Sequence, residues 1–350
     1  MSITFHERPG VYSDFDASSV TVAGAGRKVV GLAGISTAAA GLYTVTDFGA
    51  GAAVFGADSQ LTNMLKLAFL GGAATVLASP VAADTVEAYG PALERILAEK
   101  RAQLVVVGSG LEAVQQLLRD KVEAASRQKG ECIGLVGMEN PTDQTLLERA
   151  GKLTSERVVL VGPAVYVSGQ ENAVGGCMAA ACLAGVLAAQ TDPALPLNGA
   201  ALPGLSGVSL TVDEATLDSL IRGGVTMVEM AGGRVCVIRG ITTRTKTGEV
   251  QDATWRELNT ILIIDDVIPA IRESLRAKFS RAKNNASTRG AIRSQVILEL
   301  ENRVTREVID SYEGVTVAPS AEDATVCVVE FGMAVTHGLN RIHLTAHIQV

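Results

Sequence analysis

Four short apolar segments, separated by longer amphipathic stretches, constrain the fold of this chain more than any other feature. They are AATVLAS (73–79), AQLVVVG (102–108), ECIGLVG (131–137) and ERVVLVG (156–162). Strands that are apolar along their whole length occur in parallel sheets covered on both faces. We therefore predict an α/β fold from residue 27 to about residue 240. Two helices between these strands are predicted at 85–100, capped by Asp84, and from Pro141 to about Leu153.

The rest of the chain divides into a middle and a last part with different patterns. In the middle we predict a helix of small residues at 174–189, an irregular exposed loop at 192–207, a helix at 213–222 and a hairpin of strands 225–230 and 234–238. Beyond a boundary near Gly240 we predict helices at 253–283 and 287–312, then strands at 315–318, 325–335 and 341–350. The last part is therefore expected to be an α+β domain, residues 241–350.

Composition restricts the class of protein. The 350 residues are 47% apolar, which is enough for two buried cores, and no apolar run reaches the ~20 residues of a membrane-spanning helix. The start of the sequence lacks a signal-peptide pattern, so we expect a soluble protein made in the cytosol. Its five cysteines have no CxxC spacing and are expected to be reduced core residues. The net charge of −7 argues against a nucleic-acid coat.

Both ends of the chain have the period-two pattern of strands. Ile342, Leu344, Ile348 and Val350 alternate with polar residues, and so, more weakly, do Ile3 and Phe5, which precede a turn and Val11. Residues 13–26 are small and polar, like a linker, so that residues 1–26 are predicted to be an extended arm and its tether. Each end could add a strand to the sheet of its own subunit or to that of another chain, and the pattern favours neither.

Several segments, in order along nearly the whole chain, resemble the tail sheath proteins of contractile bacteriophages and related tail-like bacteriocins. They are RPGVYSDF (8–15), VVGLAGISTAAAGL (29–42), VCVIRGITTR (235–244), WRELNTILIIDDVIPAIR (255–272) and FGMAVTHGLNRIHLTAHIQV (331–350). The resemblance implies a structural subunit that forms stacked hexameric rings around an inner tube and contracts to drive the tube through a cell envelope.

The resemblance also implies partners and surfaces. It implies that residues 2–11 and the strand 341–350 are exchanged with neighbouring copies, completing a sheet that contains the strand 325–335. The linker 13–26 and the turn 337–340 are the segments expected to absorb the change of shape. The other partners implied are the inner tube protein, the baseplate and the tail terminator, without nucleic acid or direct membrane contact. The expected location is a virion or a tail-like particle assembled in the bacterial cytoplasm.

A basic stretch follows the boundary. Between residues 272 and 293 only Glu273 is acidic, and the basic residues are Arg272, Arg276, Lys278, Arg281, Lys283, Arg289 and Arg293. Taken alone, this pattern is typical of a solvated helix face. Given the resemblance, we expect a surface that faces an acidic inner tube.

An enzyme that binds a nucleotide is the alternative function. Gly108, Gly110 and Ala113 follow an apolar strand as in a dinucleotide-binding turn, but the acidic residue expected about 20 positions later is replaced by Gly130, and Glu139 comes too late. A glycine-rich turn after a strand is also ordinary turn chemistry. We therefore expect no cofactor and no catalytic residues.

Three other features of the sequence could suggest a site: a cysteine, a set of histidines and a pair of carboxylates. Cys177 near a helix start could be a nucleophile, but the chain has no histidine between His6 and His337, so close helix packing is expected instead. His337, His343 and His347 lie on one face of an extended segment, too far apart for one metal ion. The neighbouring carboxylates Asp265 and Asp266 should point in different directions on a helix.

Overall fold

The structure, a computed structural model, describes residues 28–169 and 172–346. Strands and helices alternate through its first half. In chain order they are β1 (Val29–Ile35), β2 (Tyr43–Val45), α1 (Phe48–Phe55), α2 (Gln60–Gly71), β3 (Val76–Val81), α3 (Val86–Ala98), β4 (Ala102–Val107), α4 (Glu112–Arg127), β5 (Ile133–Gly137), α5 (Asp143–Leu153) and β6 (Val158–Gly162).

The second half begins with short strands and ends with two long helices and a long hairpin. Its elements are β7 (Val165–Val167), β8 (Ala173–Val174), α6 (Gly176–Ala189), β9 (Leu205–Val208), α7 (Glu214–Arg222), β10 (Val225–Ala231), β11 (Arg234–Val237), β12 (Lys246–Thr247), β13 (Val250–Gln251), α8 (Leu258–Phe279), α9 (Ala286–Thr305), β14 (Ile309–Pro319) and β15 (Cys327–Val335).

One large sheet organises the described residues up to 240. Its strand order is β11-β10-β6-β5-β4-β1-β3-β2. The pairs β1–β3, β1–β4, β4–β5, β5–β6 and β6–β10 are parallel, whereas β2 and β11 pair antiparallel at the two edges. The predicted mainly parallel sheet is therefore confirmed, as is the hairpin of β10 and β11.

Helices cover both faces of this sheet, which explains the uniformly apolar strands. On one face, Leu104 and Val106 of β4 pack in a core with α2 and α6. On the other, Val105 and Val107 pack in a core with α3, α4 and α5. The helix of small residues, α6, lies almost wholly within the first core, since nearly all of its residues are buried.

The predicted first residues of two helices were wrong by one or two positions. Thr85, not Asp84, caps α3, because Thr85 keeps an extended backbone and its hydroxyl accepts a hydrogen bond from the amide of Ala88. In the same way, Thr142 rather than Pro141 begins α5, through a reciprocal capping box with Thr145.

The loop 192–207 was predicted to be exposed, and this was wrong. Leu197 and Leu202 are buried in the first core, and the loop ends in β9. Through these two buried leucines the loop packs against the edge of the sheet, so it is not a free surface loop.

The last helix was predicted too long. It ends at Thr305, and Glu307 then adopts a φ of 58°, which starts the turn into β14. Residues 309–312, predicted as helix, are the first part of a strand. The helix predicted at 253–283 is confirmed within shorter limits, as α8. The domain boundary near Gly240 stays a prediction.

Among the residues that the structure describes, no helix is both long enough and apolar enough to cross a bilayer.

Candidate assembly surface

Helices α8 and α9 and the hairpin of β14 and β15 surround a third hydrophobic core, to which Ala194 also contributes. The hairpin of β14 and β15 packs against α9, and α9 packs against α8. The buried side chains of this core include Ile263, Val267, Val296, Leu300, Val308, Ile309 and Val315. Alternate residues of β15, such as Phe331 and Met333, add to it. Only one face of the hairpin is therefore covered.

The sheet of this unit has fewer strands than a sheet usually needs to be stable by itself. Within the described residues it contains two strands, so one edge of β14 and one edge of β15 carry no neighbouring strand. A two-stranded sheet is marginally stable, and an open edge offers unpaired backbone groups to another strand.

The segment that follows β15 leaves its side chains uncovered. Residues 336–346 form neither helix nor strand, and the side chains of Ile342 and Leu344 are 79% and 91% exposed. The predicted strand 341–350 is thus not formed within the single chain over residues 341–346. Ile348 and Val350 lie outside the described residues, as do Ile3, Phe5 and Val11 of the predicted arm and the linker 13–26.

The start of this segment, in contrast, is fixed to the α/β domain. The amide of Asn198 donates a hydrogen bond of 2.9 Å to the side-chain oxygen of Asn340. Gly338 lies so close to Pro196 that a Cβ on the glycine would be 2.8 Å from the proline Cβ. Residues 337–340, the predicted turn, are therefore held in this state by residues of the loop 192–207.

The predicted basic residues do not all share one environment. Arg272 pairs with Glu131 of the α/β domain at 2.7 Å, and Arg293 donates to the carbonyl of Val315. Lys278 donates to Gln295, and Arg289 to Asn284. Exposed side chains in this set are those of Arg276, Lys278, Arg281, Lys283 and Arg293.

Ion pairs attach α8 to the sheet and to α9. Asp265 pairs with Arg157, and Asp266 lies 3.4 Å from Arg303, so the adjacent carboxylates point in different directions, as predicted. Burial raises the pKa of Asp265, and the Arg157 guanidinium opposes that shift. These contacts join residues far apart in sequence, and no sequence signal pointed to them.

Burial is the largest single influence on the pKa of Glu131 and raises it. The hydrogen bond from Arg272, a backbone hydrogen bond and the charges of Arg272 and Arg157 together outweigh burial and hold this pKa below its usual value. The Glu131–Arg272 pair is thus a charged contact between the sheet and α8. One of the predicted tube-facing residues, Arg272, is already engaged within the subunit.

The glycine turn after β4 is filled by protein side chains. Gln60 of α2 donates to the carbonyl of Gly108 and accepts from the amide of Ile35. A Cβ on Gly108 would lie 2.5 Å from the side-chain oxygen of Gln60, so this amide group occupies the space beside the turn. Arg149 donates to the carbonyl of Gly110 at 2.9 Å. The turn resembles a packed strand-to-helix connection and not an open phosphate cradle.

The cysteine considered as a nucleophile lies in the core. Cys177 is buried, and burial raises the pKa of its thiol to about 12. A thiol with so high a pKa is protonated at neutral pH and unreactive.

In residues 28–169 and 172–346, no group of three or more His, Cys, Asp or Glu side chains is arranged to hold a metal ion.

Comparisons with known proteins agree with these features. Residues 250–349 match the family model of the phage tail sheath C-terminal domain. The chain is 28% identical over 234 residues to the tail sheath protein of Mycobacterium phage Bxz1, covering 63% of this chain and 39% of that protein. It is 24% identical over 259 residues to the tail sheath protein of Bacillus phage SP01, covering 72% and 44%. The chain therefore spans about two fifths of the length of these curated relatives.

The fold is shared with solved structures over almost the whole chain. A chain of the anti-feeding prophage baseplate superposes with a TM-score of 0.76 at 16% identity, covering 99% of this chain and 100% of that one. The contracted helical sheath of the same particle gives 0.74 at 17% identity, with coverages of 97% and 99%.

A crystal structure of the sheath tail protein of Desulfitobacterium hafniense gives a TM-score of 0.67 at 13% identity, with coverages of 93% and 100%. The comparisons lead to one conclusion: the chain carries a match to the phage tail sheath C-terminal domain, is similar over most of its length to curated tail sheath proteins, and shares its fold with solved sheath structures.

Proposed function

We propose that this chain is a structural subunit that polymerises as stacked hexameric rings around an inner tube, and that contracts to drive the tube through a cell envelope. The observation that carries the proposal is the pairing of an open-edged two-stranded sheet with an exposed, alternating apolar segment in the same chain.

Strand exchange between copies is the proposed means of assembly. Leu344 and Ile342 are nearly fully exposed in the single chain, which is costly for two large apolar side chains, at about 1.5 to 3 kcal/mol each. Addition of residues 341–350 to the hairpin edge of a neighbouring copy would bury them and pair the open edge. The N-terminal residues 2–11 are proposed to add a second exchanged strand, and the inner tube, the baseplate and the tail terminator are the proposed partners.

In the proposed contraction, rigid subunits change from one arrangement to another, and flexible connections keep them joined in both. Each subunit would move as a body, while the exchanged strands keep neighbours connected. The segment 337–340 is one proposed connection, and its contacts with Asn198 and Pro196 are those that would change between the two arrangements.

The test is removal of residues 341–350. The shortened protein should remain folded, since the described part of this segment contributes little buried apolar surface, but electron micrographs should show no rings or tubes. A matched control carries Ile342→Val and Leu344→Val, which keeps the apolar alternation and should still assemble. Long sheaths formed by the shortened protein would refute the strand exchange.

A further inference from the structure

Four arginines meet where the C-terminal segment leaves the α/β domain. They are Arg222 of α7, Arg239 after β11, Arg256 before α8 and Arg341. Together with Asp218 and Asn340 they line a cavity of about 360 Å³. A chain with a net charge of −7 thus concentrates cationic side chains at one point.

The carboxylates near this cavity are too few to neutralise the arginines. Asp218 is shared by two of them, with Arg222 at 3.3 Å and Arg341 at 3.6 Å. Glu257 accepts hydrogen bonds from Arg239 through both oxygens and lies 3.8 Å from the guanidinium of Arg256. Four positive charges therefore share two negative ones.

One donor in this cluster is buried without a hydrogen-bond partner. Among the described residues, the Nε atom of Arg256 has no acceptor, although the Arg256 side chain is only 20% exposed. A buried donor of a charged group that lacks a partner costs free energy, so an oxygen supplied from outside would be favoured here. A second cavity, of about 320 Å³, shares Arg239, Arg256 and Asn340 with the first, so the two arginines border both spaces.

We propose that this arginine pocket binds an oxyanion. The guanidinium is planar and donates paired hydrogen bonds that match carboxylate and phosphate oxygens. The anion could come from solution, as a phosphate, or from an aspartate or glutamate side chain of a second copy of this chain. In either case it would fix Arg341, which directly precedes the exposed Ile342, and so set the direction in which the C-terminal segment leaves the subunit.

Isothermal titration of the full-length, unassembled protein with inorganic phosphate at low ionic strength tests the pocket. We expect saturable binding to one site, weakened about tenfold, or about 1.4 kcal/mol, by Arg222→Gln or by Arg256→Gln. The matched control is Arg127→Gln, because Arg127 is also exposed and pairs with Glu123 at the same helical spacing as Arg222 with Asp218. If circular dichroism shows that Arg256→Gln does not fold, the test depends on Arg222→Gln, because the side chain of Arg222 is exposed.

Sedimentation velocity with and without phosphate distinguishes the two sources. Self-association that phosphate weakens, and that both pocket variants weaken in its absence, identifies a carboxylate of a second copy. Saturable phosphate binding with unchanged self-association identifies a free anion. The proposal is overturned if phosphate does not bind saturably and both pocket variants self-associate like the unmodified chain. It is also overturned if Arg127→Gln weakens phosphate binding as much as the pocket variants do. Phosphate binding is measured on the unassembled chain, so its outcome is independent of whether strand exchange drives assembly.

Discussion

Arg157, directly before β6, forms a largely buried ion pair with Asp265 of α8. The side chains of the two residues are 13% and 16% exposed. Arg157 donates to Oδ2 of Asp265, whereas Oδ1 is buried without a hydrogen-bond partner among the described residues. The arginine is therefore the main compensation for this carboxylate. This pair connects the parallel sheet to the helix that carries the C-terminal unit.

Arg157→Met should destabilise the subunit by about 3 kcal/mol at pH 8, since it leaves a buried carboxylate without its cation. Burial already raises the pKa of Asp265, and loss of the arginine should raise it further. A carboxyl whose folded-state pKa is raised opposes folding fully at a pH above that pKa, and the penalty falls progressively as the pH drops towards the pKa of the unfolded chain. The loss should therefore be smaller at pH 5, as urea unfolding at the two pH values would measure.

Two controls sharpen this prediction. Arg222→Met removes an arginine from an exposed pair and should cost at most about 1 kcal/mol. The double variant with Asp265→Asn should recover part of the lost stability. Equal losses at pH 5 and pH 8 would mean that Asp265 is not the group responsible.

The sequence predicted the parallel sheet well because its strands are apolar on both faces, a pattern that few other folds produce. The prediction from sequence was wrong where two neighbouring residues could both cap a helix, as with Asp84 and Thr85 at the start of α3. It also failed at residues 309–312, since Val308, Ile309 and Tyr312 have a spacing that also suits a helix. The pairing of Arg157 with Asp265 joins residues 108 positions apart, and local pattern carries no information about it.

Close packing of α2 against α6 depends on two glycines. A Cβ on Gly185 would lie 2.1 Å from the carbonyl oxygen of Ala68, and one on Gly71 would lie 2.5 Å from that of Cys182. Gly185→Ala should force the two helices apart and destabilise the protein by about 1 to 3 kcal/mol or more. Thermal unfolding of the purified subunit measures the loss.

Gly151→Ala is the matched control for this change. Gly151 lies in α5, and a Cβ there would meet no atom within 4 Å. Alanine in a helix is about 0.5 to 1 kcal/mol more favourable than glycine, so this variant should be slightly stabilised. Similar melting temperatures for the two variants would show that the helix contact adjusts without cost.

Reversal of two exposed charges tests the proposed tube-facing surface. Arg281→Glu with Lys283→Glu should leave the stability of the isolated subunit unchanged, because both side chains are exposed. It should weaken co-sedimentation with the cognate tube protein, and the difference from the unmodified subunit should shrink as salt is raised. Arg234→Glu with Lys246→Glu, the same charge change in the β10–β11 and β12–β13 region, should leave tube binding intact. Equal weakening by both pairs would point to net charge and not to this surface.

Ile342 and Leu344 are predicted to matter for assembly and not for folding. Both side chains are exposed in the single chain, so Ile342→Asp with Leu344→Asp should change the free energy of unfolding by less than about 0.5 kcal/mol. Burial of the two aspartates in a neighbour's sheet would be strongly unfavourable, so the variant should remain monomeric in analytical ultracentrifugation. The control His343→Ser with Thr345→Ser changes the polar face of the same segment and should still assemble. A substantial loss of stability in the aspartate variant would show that this segment packs on its own subunit, and that the open edge of the hairpin has a partner within the chain.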